Sequence, residues 1–207
     1  MHRLGQILCA AVLALGILAL AGPGCASPVT MEYFRTLRGR MINDGASGKA
    51  MITFYGQDRN DDNGIGFAGV KLFKLQNIEF NGRPVFPVAV HSRHIKQFLY
   101  KVLLVRAPGM KPILGLVVDK CADGKCDTNI EKPPGFIIDI HKTGFAAAGV
   151  PKGNKSFQDG SYQVVGHVSP RSIPGTAWDG DVKTNYMLCG FDARGKEKWT
   201  LLKDCDL

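Results

Sequence analysis

Short runs of β-branched and aromatic residues, each cut off by Gly, Pro, Asn or Asp, recur along the middle of this chain and leave little room for long helices. The runs are Ala50–Tyr55, Val70–Leu75, Val85–Val90, Leu99–Val105, Ile113–Val118, Phe136–Ile140 and Tyr162–Val168. Strands at such spacing, with turns between them, imply a barrel or a sandwich. Helix-forming sequence is confined to two places. In His141–Gly149, Phe145-Ala146-Ala147-Ala148 supplies helix formers and Gly149 a stop; a second short helix fits within His91–Tyr100, with Leu99 onward extended.

The ends of the chain read differently from its middle. Met1-His2-Arg3 is a short basic start, Ile7 to Leu20 an apolar run, and Gly24-Cys25-Ala26 offers small residues for cleavage, so residues 1–26 are expected to be a secretory signal and Ser27 the first mature residue. An uncleaved anchor is the weaker alternative, because the apolar run is shorter than the roughly 20 residues of a spanning helix. Residues 27–48, which end in Gly45-Ala46-Ser47-Gly48, read as a linker; residues 49–170 as the β domain; and residues 171–207 as an extension packed on it. Trp178 and Trp199 in that extension are expected to be buried structural residues. A length of 207 residues suits one domain with such additions, and 45% hydrophobic with 21% charged residues excludes disorder as the whole description.

Loss of residues 1–26 removes Cys9 and Cys25 and leaves Cys121, Cys126, Cys189 and Cys205. An even number in an exported chain argues for disulfides rather than metal. The spacing allows a small loop from Cys121 to Cys126 and a C-terminal loop from Cys189 to Cys205, although four cysteines permit three pairings. No metal and no cofactor is expected: the cysteines are not spaced as C-x-x-C, and the nearest histidine, His141, lies beyond a Pro-Pro turn. The loop Gln57–Gly64 is dense in oxygen ligands but lacks a glutamate to close a calcium site, and reads as a solvated turn. A formal net charge of +8 suits a polyanionic partner such as an acidic polysaccharide or a charged wall. Nucleic acid is not expected, since the basic residues are scattered and no binding module is recognisable.

Two acids stand out. Asp119 ends the run Val117-Val118, and Asp139 lies within Gly135-Phe136-Ile137-Ile138-Asp139-Ile140, so each carboxylate is carried where a buried strand emerges. Two acids held this way are expected to flank one groove, an arrangement that can bind a sugar polymer or move a proton at one of its bonds. Their ordinary alternative is capping: Asp119 of the cysteine loop, Asp139 of the helix that starts near Lys142. Thr53-Phe54-Tyr55-Gly56 closes the first strand with a hydroxyl beside an aromatic, a pairing suited to the polar rim and apolar face of a sugar ring.

Taken in order, Thr53-Phe54-Tyr55-Gly56, Val118-Asp119-Lys120-Cys121, Ile137-Ile138-Asp139-Ile140 with Phe145-Ala146 after it, and Gly160-Ser161-Tyr162-Gln163-Val164-Val165 resemble the landmarks of the double-psi β-barrel of expansins, barwin-like proteins and rare lipoprotein A-like proteins. The resemblance covers Lys49–Pro170, about six tenths of the chain. It implies a mainly β fold: a six-stranded double-psi barrel with one or two short helices and a disulfide-stapled C-terminal extension. It also implies substrate-binding roles for Thr53 and Tyr55 and catalytic or groove-lining roles for Asp119 and Asp139. Departures are His141, where the family usually has Ser, Cys121, where some members have an aromatic, and a long insertion that includes His91–Lys96. The second sandwich domain of expansins, with its row of surface aromatics, has no counterpart in residues 171–207.

Three functions are compatible with this pattern. The favoured one is a secreted monomer that binds cell-wall or other extracellular polysaccharide and loosens it without hydrolysis. The enzymatic alternative is a lytic transglycosylase or endoglucanase-like protein that uses Asp139, with Asp61 or Asp62 as a further acid if the Gln57–Gly64 loop folds over the groove. The third is a barwin-like protein-binding, inhibitory or structural surface module, with an interface formed by the His91–Lys96 loop and the C-terminal extension.

Overall fold

The computed structural model describes residues 35–56, 64–75, 77–150, 156–174, 186–201 and 205. The expected signal segment, the Asp61 and Asp62 loop and Trp178 lie outside the described residues.

Strands β3 (Ser47–Tyr55), β5 (Arg83–His91), β6 (Lys101–Arg106), β7 (Ile113–Cys121), β8 (Ile137–His141) and β9 (Ser156–Val168) form a closed barrel. They run β5-β7-β6-β9-β3-β8, and β8 pairs back onto β5. The β5–β7 and β3–β8 pairs are parallel and the remaining four antiparallel, a mixed arrangement compatible with a double-psi β-barrel. Closure removes the exposed edges that an open sheet of this length would present. Side-chain alternation fills the interior: Ala50, Ile52, Val88, Val90, Val102, Leu116, Ile138 and Ile140 are fully buried in one core.

All but one of the apolar runs named above are strands. The exception is Val70–Leu75, whose residues Leu72–Leu75 form a 3-10 turn. Leu72 and Leu75 are both buried while Phe73 is 43% exposed, a period of three that suits a 3-10 turn and not the period of two of a strand. Among the described residues there are three short α-helices: α1 (Ile95–Phe98), α2 (Gly124–Ile130) and α3 (Phe145–Ala148). The first and third fall where helix was expected, and Gly149 ends α3 in the left-handed region at φ 65°. The unexpected one is α2, which follows the strand that ends in Cys121, carries Cys126 and precedes the Pro-Pro turn. Asp123 starts it by accepting from the Cys126 amide at 2.8 Å.

The stretch read as linker carries structure over its described part. Strand β1 (Arg35–Thr36) pairs with β4 (Ile78–Phe80), β2 (Gly39–Met41) pairs with β9, and β3 begins at Ser47, two residues before the expected domain start. The glycine that suggested flexibility, Gly45, is there for close approach: a Cβ on it would run into the Val164 carbonyl oxygen.

The C-terminal extension forms a hairpin of β10 (Tyr186–Phe191) and β11 (Glu197–Leu201). Met187 and Leu188 enter the main core, Leu188 N donates to Ala68 O at 3.3 Å, and the buried Tyr100 hydroxyl donates to the Leu188 carbonyl. Cys189 is bonded to Cys205 and Cys121 to Cys126, with Cα separations of 5.4 and 6.0 Å, so one of the three permitted pairings is formed, the one that closes the two short loops.

Candidate functional site

The core-facing residues of β3, β8 and β5 fix what their neighbours do. With Ile52, Ile138, Ile140, Val88 and Val90 inside, Thr53 and Tyr55, Asp139 and His141, and Ala89 and His91 must point outward. Cα pairing aligns Thr53 with Asp139 and Asp139 with Ala89. On β7 simple alternation would bring Val118 opposite Ala89. Instead the register shifts between Val88 and Ala89, so that Val88 faces Val117 and Ala89 faces Asp119. This bulge leaves Val118 buried, with its carbonyl accepting from Ala68 N at 2.9 Å, and turns Asp119 onto the outer face. One row therefore crosses four strands: Thr53, Asp139, Ala89, Asp119. With one strand between them, the two acids sit roughly 10 Å apart at Cα, from the ordinary strand spacing.

Each acid is engaged by a residue of β3. Thr53 Oγ1 donates to Asp139 Oδ1 at 2.7 Å, and Tyr55 OH donates to Asp119 Oδ2 at 3.1 Å. Asp119 Oδ1 accepts two backbone amides, from Phe67 at 2.7 Å and Lys120 at 2.8 Å. Asp139 is only 8% exposed; the Cys121 sulfur packs 3.8 Å from its Oδ2, and Ala89 and the Cys121–Cys126 bridge form a small apolar cluster against which Tyr55 lies.

Aromatic and cationic groups extend this surface at both ends. His141 is buried and meets the Tyr55 ring edge-on at 5.2 Å and the Phe73 ring at 5.3 Å, with Lys142 Nζ 4.6 Å from the Phe73 centroid. At the other end Lys120 Nζ stands 3.9 Å over the Phe67 ring and 4.0 Å from Glu197, whose carboxylate accepts from Trp199 Nε1 at 3.0 Å. Trp199 is 42% exposed, contrary to the expectation of a buried structural residue. Its indole lies on the two-stranded hairpin, which has its own polar partner for the N–H.

The capping alternatives fall to other residues. The helix after the cysteine strand is capped by Asp123, and the 3-10 turn Lys142–Gly144 by the His141 side chain, which accepts from Thr143 N at 3.4 Å. His141 thus performs at this step the cap that a Ser would supply. His91, from the loop expected to form a protein interface, is buried, with Nε2 2.9 Å from Asp127 on α2. Arg93 in the same loop pairs with Glu131 at 2.5 Å.

One cluster among the described residues has metal-ligand proximity: Cys121, Cys126 and Asp139, with ligand atoms within 4.8 Å of one another. Both sulfurs are committed to the disulfide, so the group offers no thiolate in this state. Sequence reasoning missed Ala89, Phe67, Lys120 and His141 as neighbours of the acids and Phe73 beyond His141. For His141 the two-residue spacing from Asp139 carries the signal; for Phe67 and Phe73 no local pattern does.

No protein-family model matches the chain, and no curated protein sequence matches it.

Proposed function

We propose that this protein is a secreted member of the expansin-like, barwin-like and rare lipoprotein A-like group of double-psi β-barrels, and that it binds cell-wall or other extracellular polysaccharide and loosens it without hydrolysis. The observation that carries this reading is the outer-face row in which Thr53 engages Asp139 and Tyr55 engages Asp119. A half-buried tyrosine between two carboxylates offers an apolar face to a pyranose ring and acceptors to its hydroxyls. Asp139, nearly withdrawn from water, is the group that competes for hydroxyls when chains are pulled apart. Phe73 and Phe67 prolong the surface beyond Tyr55, which suits a polymer longer than one sugar.

Incubation with cellulose, chitin, peptidoglycan and acidic glycans, followed by pull-down and mass spectrometry of the supernatant, tests the proposal. Retention on one polymer without soluble product is expected. Release of reducing ends or anhydro-muropeptides identifies a glycan-cleaving enzyme instead, and indifference to every polymer removes the carbohydrate reading.

A further inference from the structure

Away from the acid-bearing face, three bases stand in one row. Strand β9 lies between β2 and β6, and His167 is the Cα partner of Arg40 on one side and of Lys101 on the other. Residues paired in this way share a face and sit about 5 Å apart at Cα. Their core-facing neighbours Val102, Gly166 and Val168 are buried, which turns Lys101 and His167 outward, and Arg40, on a strand exposed throughout, shares that face through its pairing with His167. Arg40 is exposed, His167 and Lys101 are half-buried, and Lys101 Nζ is held 5.2 Å from the Phe98 ring centroid.

Like charges directly opposite one another on adjacent strands destabilise a sheet. Among the described residues no carboxylate offsets this group: the ion pairs present are His91–Asp127, Arg93–Glu131 and Lys120–Glu197. Burial, then Arg40, then Lys101, holds the His167 imidazolium below its usual range, and burial likewise lowers the Lys101 ammonium. The charged groups that face His167 are therefore both cationic.

We propose that Arg40, His167 and Lys101 form a binding site for one tetrahedral oxyanion, a sulfate or phosphate group. A guanidinium fork, an ammonium and a ring N–H carried at paired positions of three adjacent strands match the oxygens of such a group, and its charge relieves a repulsion that the chain itself leaves uncompensated. The site lies on β2, β9 and β6, whereas the proposed sugar-binding residues lie on β3, β8, β5 and β7, so the two can succeed or fail separately.

NMR titration of the His167 ring signal tests it, in sodium sulfate and in sodium chloride at matched ionic strength, and with a sulfated disaccharide against its uncharged parent. Sulfate is expected to raise the His167 pKa by about one unit over chloride, as an opposite charge in contact does. The Arg40→Gln/Lys101→Gln variant is expected to lose that difference; Arg40→Gln alone, at an exposed position, is read if the double variant does not fold. A shift with the sulfated disaccharide and not its parent assigns the anion to a glycan as well as to the free ion. Identical curves in sulfate and chloride, or a sulfate-specific shift that survives removal of Arg40, overturn the proposal.

Discussion

Tyr55 and Asp119 are hydrogen-bonded at 3.1 Å although two strands, β8 and β5, separate the strands that carry them. The span is possible because the residue beneath the tyrosine is Ala89, buried in the small cluster with the Cys121–Cys126 bridge. A methyl group there lets the ring lie flat across the row and bring its hydroxyl to the far acid.

Enlarging that residue should lift the ring. Ala89→Leu introduces three carbons into a packed site, which costs about 1–3 kcal/mol by overpacking and moves Tyr55 away from Asp119. The expected outcome is a lowered urea midpoint together with loss of polymer retention. Tyr55→Phe, which keeps the ring and removes the hydrogen bond, should keep the fold and weaken retention less. If Ala89→Leu retains the polymer as well as the parent does, the tyrosine platform is not the binding surface.

Asp139→Asn preserves shape, and the amide oxygen still accepts from the Thr53 hydroxyl that now donates at 2.7 Å. Stability should therefore change little while the charge disappears. Activity on wall material, read as extension under constant load, is expected to be abolished at an unchanged melting temperature. Equal activity of variant and parent removes Asp139 from the site.

How much of this could be read from residues alone differs between the two acids. Asp139 sits in Ile137-Ile138-Asp139-Ile140-His141, where Ile138 and Ile140 join the main barrel core and Ile137, Asp139 and His141, although buried, do not, so its outward direction follows from a period of two. Asp119 follows Ile113–Val118, buried on both sides, where alternation carries no information, and its placement beside Ala89 depends on the bulge at Val118. The barrel was legible because β-branched runs are interrupted at regular intervals. The strands at Arg35–Thr36 and Gly39–Met41 were not: they are short, their residues are mostly polar, and a glycine that permits close backbone contact looks in sequence like one that permits bending.

Stability should fall on mild acidification through His167. Burial and the neighbouring Arg40 and Lys101 lower its pKa in the folded protein, whereas in the unfolded chain it protonates near the usual 6.5. The unfolded state therefore binds the proton first as pH falls, and stability is lost from about that value downward until pH lies below the folded-state pKa. Above pH 6.5 both states leave the ring neutral and the stability is fully present. Urea midpoints measured from pH 7.5 to about pH 5 should decline in the parent and decline less in His167→Gln; parallel slopes would show that the histidine is not the group responsible.

The two disulfides should separate stability from function. Cys189–Cys205 closes a separation of 16 residues and ties the C-terminal hairpin to its own tail, whereas Cys121–Cys126 closes one of 5 residues beside Asp139. Chain entropy assigns about 3 kcal/mol to the longer loop and about 2 kcal/mol to the shorter. Cys189→Ala/Cys205→Ala is expected to lower unfolding free energy by the larger amount and leave polymer retention intact, since neither cysteine touches the row of acids. Cys121→Ala/Cys126→Ala should lower it less and yet impair retention, because the bridge forms the apolar wall that keeps Asp139 out of water and supports the Tyr55 ring. Urea unfolding and pull-down on the same preparations measure both quantities, and retention unaffected by loss of the Cys121–Cys126 bridge would mean that this wall does not shape the site.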